Sequence, residues 1–425
     1  MSRLVLANAN LIGWGERPPC RATVVVYGET IEAVLESPPA ASPADRFVDL
    51  KGRTLMPGMV LGHFHAAYRE LGSVAAPFGL EAVPALHAMR AAAHFKMALD
   101  SGFTGVIGAG VPDGIDAAMK AAIEEGSQIG PRIFACGHNV GTTGFSTDGS
   151  FPSHWEIGAN GGLRRCDGPE GFRRAVRQEI KDGAEIIKLF LTGGHGSTAP
   201  TDQWEMSLDE LHMAVRTAAE RGAKVRAHTT GREAILHAIE AGVHIIDHAD
   251  GMDDDCIEKC VKHGTFVAPS LLFPRTMMRN AAGSAYAEGM RAAYSHMVAI
   301  LPRANAAGVR LILGDDHGAM GMPHGEYAQE LELYVKDVGI PPLDVIRWAT
   351  RNGAAAMGLA DKCGTIEPGS FADLLVVDGD PVDDISVLRD RSKLMLVMKG
   401  GVACKDALDR IGALPEAARP LLATA

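Results

Sequence analysis

Two imidazoles, His63 and His65, stand two residues apart at the end of the run Met56-Pro57-Gly58-Met59-Val60-Leu61-Gly62. Residues i and i+2 of a strand share a face, so both rings can reach one cation through the nitrogen that suits zinc and its neighbours. Alone, the pair is more simply explained as two chance core or surface histidines. Further donors sit in other apolar runs. Lys188 lies within Ile186-Ile187-Lys188-Leu189-Phe190-Leu191, where an inward ammonium without a partner costs several kcal/mol. It must point outward, pair with a carboxylate, or react as a neutral amine with carbon dioxide to give a carbamate, an anionic donor able to bridge two cations. His228 closes Val225-Arg226-Ala227, His248 closes Ile245-Ile246-Asp247, and Asp315-Asp316 follow Gly314. Singly each is an ordinary structural residue. Five run ends that each offer a ligand type point together to a divalent metal site.

Such a site needs strands whose ends converge. Eight strand candidates begin near Leu55, Gly102, Arg132, Glu185, Lys224, Val243, Thr265 and Val309. Between them lie stretches with helical apolar spacing, such as Leu208 to Arg221 and Glu233 to Ala241. Alternating strands and helices imply a parallel sheet in an α/β fold. Eight units match a (β/α)8 TIM-like barrel better than the competing doubly wound sheet, and a barrel gathers its functional groups at the carboxyl ends of its strands. Short β-branched runs before residue 56 and after residue 360 predict a small β-sandwich built from both chain ends, 1–56 with 360–425, around a barrel at 57–359.

Composition excludes several classes. The 425 residues carry a formal charge of -11, with 52 acidic against 41 basic side chains, which argues against a general nucleic-acid-binding face. No apolar stretch approaches the roughly twenty residues that span a bilayer. The seven cysteines, Cys20, Cys136, Cys166, Cys256, Cys260, Cys363 and Cys404, form neither a CxxC knuckle nor an even disulfide framework. With a polar N-terminal stretch that lacks a signal-like apolar region, these features predict a cytoplasmic protein acting on a small molecule.

The chain resembles the amidohydrolase superfamily, in the branch of prolidase-like and Xaa-Arg dipeptidases and imidazolonepropionase-like enzymes. The resemblance spans nearly the whole chain. It rests on the Pro57-Gly58 to His65 start, the Lys188 run ending Thr192-Gly193-Gly194, Ala227-His228-Thr229-Thr230-Gly231, the segment Asp247-His248-Ala249-Asp250, Gly314-Asp315-Asp316, Pro323-His324-Gly325, and Gly364 to Leu374. It implies two divalent ions, zinc by preference, with His63 and His65 on the more buried one, His228 and His248 on the other, and carboxylated Lys188 bridging them. Asp316 is the implied further ligand and general acid-base, because the family's Gly-Thr-Asp aligns Asp315 with the Thr; a share in that role for Asp315 stays open.

The implied activity is hydrolysis of a carbon-nitrogen bond in an amide, cyclic amide or N-acyl compound by metal-activated hydroxide. The alternatives are a deaminase or a lactone or ester hydrolase on the same metals, and a non-catalytic binding protein. The resemblance also implies a homo-oligomer. Three positions depart from the pattern. Leu61 replaces the Asp two residues before the first histidine, Thr229-Thr230 replaces the usual Ala-Tyr after His228, and the loop Gly137 to Ser146 lacks a Thr-Gly-Gly-His ending. The first changes what stands behind a metal ligand; the other two argue against dipeptide recognition. Expected substrate contacts are His138, His195, Thr230, His317 and His324, with Phe145 and Trp204 as candidate walls for a ring.

Overall fold

The computed structural model describes residues 2–40, 42–72, 82–148, 163–197 and 199–410. Both ends of the chain enter one eight-stranded sheet. Its strands are Leu4–Leu11, Cys20–Tyr27, Thr30–Leu35, Arg46–Asp49, Thr54–Pro57, Leu374–Val377, Leu394–Lys399 and Val402–Asp406. The stitch is the antiparallel pairing of Thr54–Pro57 with Leu374–Val377. The strands expected to form a small β-sandwich are continuous in one hydrogen-bonded sheet, in which Leu4–Leu11 pairs with Cys20–Tyr27, Arg46–Asp49 and Thr54–Pro57. Period-two alternation gives this sheet two apolar faces. Leu374, Val376 and Leu396 pack into its own core, whereas Leu375, Val377 and Val397 join the large core beneath the parallel strands.

The remaining strands are parallel and alternate with helices. One set pairs Met59–Phe64 with Phe103–Gly108 and then Arg132–Phe134. The other runs from Leu163–Arg165 through Cys136–Gly141, Ile186–Phe190, Lys224–Thr229, Ile245–His248 and Phe266–Ala268 to Arg310–Leu311. Backbone hydrogen bonds join the two sets at both edges. The Glu185 and Ile186 amides donate to the Ala135 carbonyl at 2.8 and 3.2 Å, and the Gly62 amide donates to the Leu313 carbonyl at 2.5 Å. The first junction explains why the single run expected from Arg132 becomes two strands: one carbonyl serves two donors, so the register breaks at Ala135. The second requires glycine at 314, because a Cβ there would collide with the His63 backbone.

Side chains inside the parallel strands are layered. Val60, Ile107, Ile186, Ile245, Phe266 and Ile312 form an apolar cluster of their own. Two residues further along two of these strands come charged positions: Lys188 after Ile186 and Asp247 after Ile245. The intervening helices are amphipathic, and Leu208–Ala219 opens with a capping box in which Ser207 and Glu210 satisfy each other's backbone amides. Among the described residues no helix is long and apolar enough to cross a membrane.

Candidate metal centre

The carboxyl ends of the parallel strands bring the predicted ligands to one cavity of about 620 Å³, counting its open mouth, lined among others by His65, Lys188, His195, His228, His248 and Asp316. Three donor atoms meet at its floor. Nε2 of His63 lies 3.1 Å from Nε2 of His65, and each lies 3.1 Å from Oδ1 of Asp316. His65 donates from Nδ1 to the Gly110 carbonyl at 3.0 Å, which leaves Nε2 unprotonated and free to bind. Burial lowers the His65 pKa against the pull of Asp316. Burial alone would raise Asp316, but His63 and His65 hold it well below the usual carboxylate range.

Beneath these atoms lies a buried charged layer. Asp247 accepts from Lys188 Nζ at 2.6 Å and from Arg226 Nε at 3.1 Å, and its Oδ1 lies 3.2 Å from His63 Nδ1. Arg226 also donates to the Gly62 and Gly108 carbonyls at 3.0 and 2.8 Å. Burial would raise Asp247; Arg226 and Lys188 hold it well below the ordinary carboxylate range. Lys188, only 1% exposed, has its pKa lowered by burial against the pull of Asp247. Its carboxylate partner realises one of the alternatives left open by sequence.

A second donor group forms beside the first. His195, His248 and Asp316 offer ligand atoms that all lie within 4.8 Å of one another. His195 and His248 stack at 3.8 Å between ring centroids. The His195 Nδ1 is 3.1 Å from Asp250, which points Nε2 away from that carboxylate. Nε2 of His195 and Nδ1 of His248 are buried without a hydrogen-bond partner. Both histidines have positive φ, 40° and 75°, a strained backbone that clusters at functional sites. His228 borders the same cavity, but its Nε2 faces the Gly193 carbonyl at 3.3 Å. Burial, then Lys188, pushes its pKa down to about 3. The structure therefore gathers His195, expected as a substrate contact, into the donor group and leaves His228 alongside it. Two orphaned imidazole nitrogens and a depressed carboxylate in one pocket fit divalent cations of the zinc type.

Four other expected contacts lie away from the cavity. His138 accepts the Asp113 amide at 3.3 Å on Nε2 and pairs through Nδ1 with Glu179 at 3.2 Å, on the helix side of its strand. Thr230 donates to the Gly193 carbonyl at 2.6 Å and anchors the turn after Thr192. His317 points Nδ1 at the Pro323 carbonyl, 3.2 Å away. His324 stacks on His94 at 3.8 Å and meets Tyr327 and the Tyr68 carbonyl. Of the candidate walls, Phe145 packs edge-on against Phe190 and Trp204 stands near His237; the rings that line the cavity are Tyr68, Phe190 and Phe273. Sequence reasoning missed Arg226 as a support, although a cation inside an apolar run is the signal that singled out Lys188. It also missed Asp250 and Tyr68, whose ring stacks on His65 at 4.1 Å.

Asp315 and Asp316 divide their roles. Asp315 accepts the Leu272 and Phe273 amides at 2.7 and 3.2 Å and the Asp316 amide at 2.8 Å, so it holds the start of a helix and its neighbour's backbone. Burial, then Glu330, raises it well above the ordinary value.

The sequence profile of the amidohydrolase family matches residues 54–404. The chain belongs to that family, in its prolidase-like branch, and is a hydrolase of carbon-nitrogen bonds. Ochratoxinase of Aspergillus niger is 29% identical over 432 residues, covering 94% of this chain and 86% of that protein, and its crystal structure superposes with a TM-score of 0.82 over 95% of this chain and 96% of that one. A prolidase complexed with N-methylphosphonate-L-proline superposes with a TM-score of 0.85 at 28% identity, over 95% of this chain and all of that one. A Xaa-Pro dipeptidase with methionine in its active site gives 0.84 at 27%, with the same coverage.

Proposed function

We propose that the protein hydrolyses an amide, cyclic amide or N-acyl bond of a small molecule with two divalent ions, zinc by preference, at the mouth of a (β/α)8 barrel. The observation that carries this reading is the contact of His63 Nε2, His65 Nε2 and Asp316 Oδ1, each 3.1 Å from the other two. Two imidazole nitrogens converging with a carboxylate oxygen on one buried point make the donor set of a cation. His63, His65 and Asp316 would hold the first ion, and His248 with His228 and His195 the second. Lys188, as a carbamate, would reach both. Ions held there supply a more acidic water and a polarised carbonyl.

The chain's own groups do the rest. Asp316, low in pKa and open to the cavity, takes a proton from the attacking water and returns it to the leaving nitrogen. Asp247 orients His63 and neutralises Arg226 beneath the floor. Phe190, Phe273 and Met320 shield the reacting carbonyl from bulk water. The test is a screen of N-acyl amino acids, dipeptides, aryl amides and cyclic ureides on metal-replete protein, repeated after chelation. Hydrolysis that disappears with the metal and returns on its addition supports the reading; activity that survives complete removal contradicts it. A homo-oligomer is part of the same proposal and is checked by light scattering.

A further inference from the structure

One wall of the cavity is polar without belonging to the metal centre. Ser146 and Ser197 both line it. Ser197 Oγ donates to Ser146 Oγ at 2.6 Å, and Ser146 Oγ donates to Oε1 of Glu205, a residue 6% exposed. An ionised carboxylate only accepts, so the direction of this relay is set from its inner end. Ser146 must give its proton to Glu205, and Ser197 must then give its own to Ser146. Each hydroxyl has two lone pairs. Ser146 uses one for Ser197, and Ser197 uses one for the Ala199 amide at 2.9 Å. One lone pair therefore remains on each oxygen, at atoms that border the cavity. Behind them Glu205 Oε2 is buried with no partner.

The two serines thus turn acceptor lone pairs toward the cavity, with the Glu205 carboxyl behind them, a group whose pKa burial raises against the pull of the Ser146 hydrogen bond. The rest of the described lining is largely apolar, through Leu71, Phe190, Phe273 and Met320, and it contains no arginine.

We propose that Ser146 and Ser197, polarised by Glu205, form a subsite for a nitrogen hydrogen-bond donor on the substrate, an ammonium or N–H group. The identity of the ligand as substrate rests on the hydrolase reading; the binding preference does not. Two alcohols that offer no hydrolysable bond separate the two. Titration calorimetry of the metal-loaded protein with L-phenylalaninol and with 3-phenylpropan-1-ol compares the same body with and without an ammonium. The expected preference for L-phenylalaninol is about tenfold or more in Kd, the size of one hydrogen bond to a charged group. Ser146→Ala and, separately, Glu205→Gln should narrow it to about threefold, while the affinity for 3-phenylpropan-1-ol stays unchanged and reports an intact pocket. Equal affinity in the wild type, a preference retained in both variants, or no binding of either alcohol overturns the subsite. Turnover of the matching 4-nitroanilides tests the hydrolase reading by itself: its absence would sink that reading, while the calorimetric ratio would still decide the subsite.

Discussion

The two donor groups differ in how they are held. His63, His65 and Asp316 touch one another at 3.1 Å, and partners behind them fix each ring: Gly110 for His65, and Asp247, itself held by Arg226, for His63. His195 and His248 leave two nitrogens without partners and stand on strained backbone beside the open cavity. The first group is pre-organised from below, by strand side chains at i and i+2. The second joins a strand-end histidine, His248, to His195 in the turn that Asp250 holds, and its two unpartnered nitrogens are left for an ion or a substrate.

The largest effect is expected at the residue both groups share. Asp316→Asn should lower kcat by about a thousandfold, the scale of a lost general acid-base, with metal content near wild type by elemental analysis. Asp315→Asn should act mainly on stability, through the Leu272 and Phe273 amides; the larger kcat loss at 315 would reverse the assignment. Next comes the support of the fixed group. Arg226→Met leaves Asp247 short of a buried partner and should cost about 3–5 kcal/mol by denaturant unfolding; a change within error would show that the charged layer is not needed.

The two groups are separated by single replacements. His63→Ala should empty the first position and abolish turnover, whereas His195→Ala should weaken the second ion, by about tenfold or more in a competitive chelator titration, and keep the first. Equal loss in both variants would erase the contrast. The smallest effect lies outside both groups. Burial pushes the Asp116 carboxyl up to about 7, above its value in the unfolded chain, so ionisation opposes folding. Its stabilising protonated form is fully present below about pH 4 and is lost as pH rises towards about 7. Asp116→Asn should flatten that part of the melting-temperature profile.

Much of this arrangement was legible in the chain. Strand ends could be counted from apolar runs, and His63, His65, Lys188, His248 and Asp316 stood out because polar groups inside or closing such runs need a reason. What pairing adds was not. The register break at Ala135 comes from a carbonyl shared by two amides of a strand fifty residues away. His195 joins the donors through the turn that Asp250 holds, and spacing along the chain does not encode that contact. His138, His317 and His324 were placed in loops facing a substrate, yet Glu179, Pro323 and His94 claim them. Loop histidines are poor witnesses, because loops find partners that no periodicity announces. Arg226 was readable by the same argument as Lys188 and holds Asp247 behind His63.

Anomalous diffraction at the zinc edge, from crystals of zinc-loaded protein, tests the centre most directly. Two peaks are expected, one among His63, His65 and Asp316 and one beside His248, with the second alone weakened in His195→Ala. Peaks confined to surface residues, with the 3.1 Å contacts of His63, His65 and Asp316 intact and the protein active, would contradict the account.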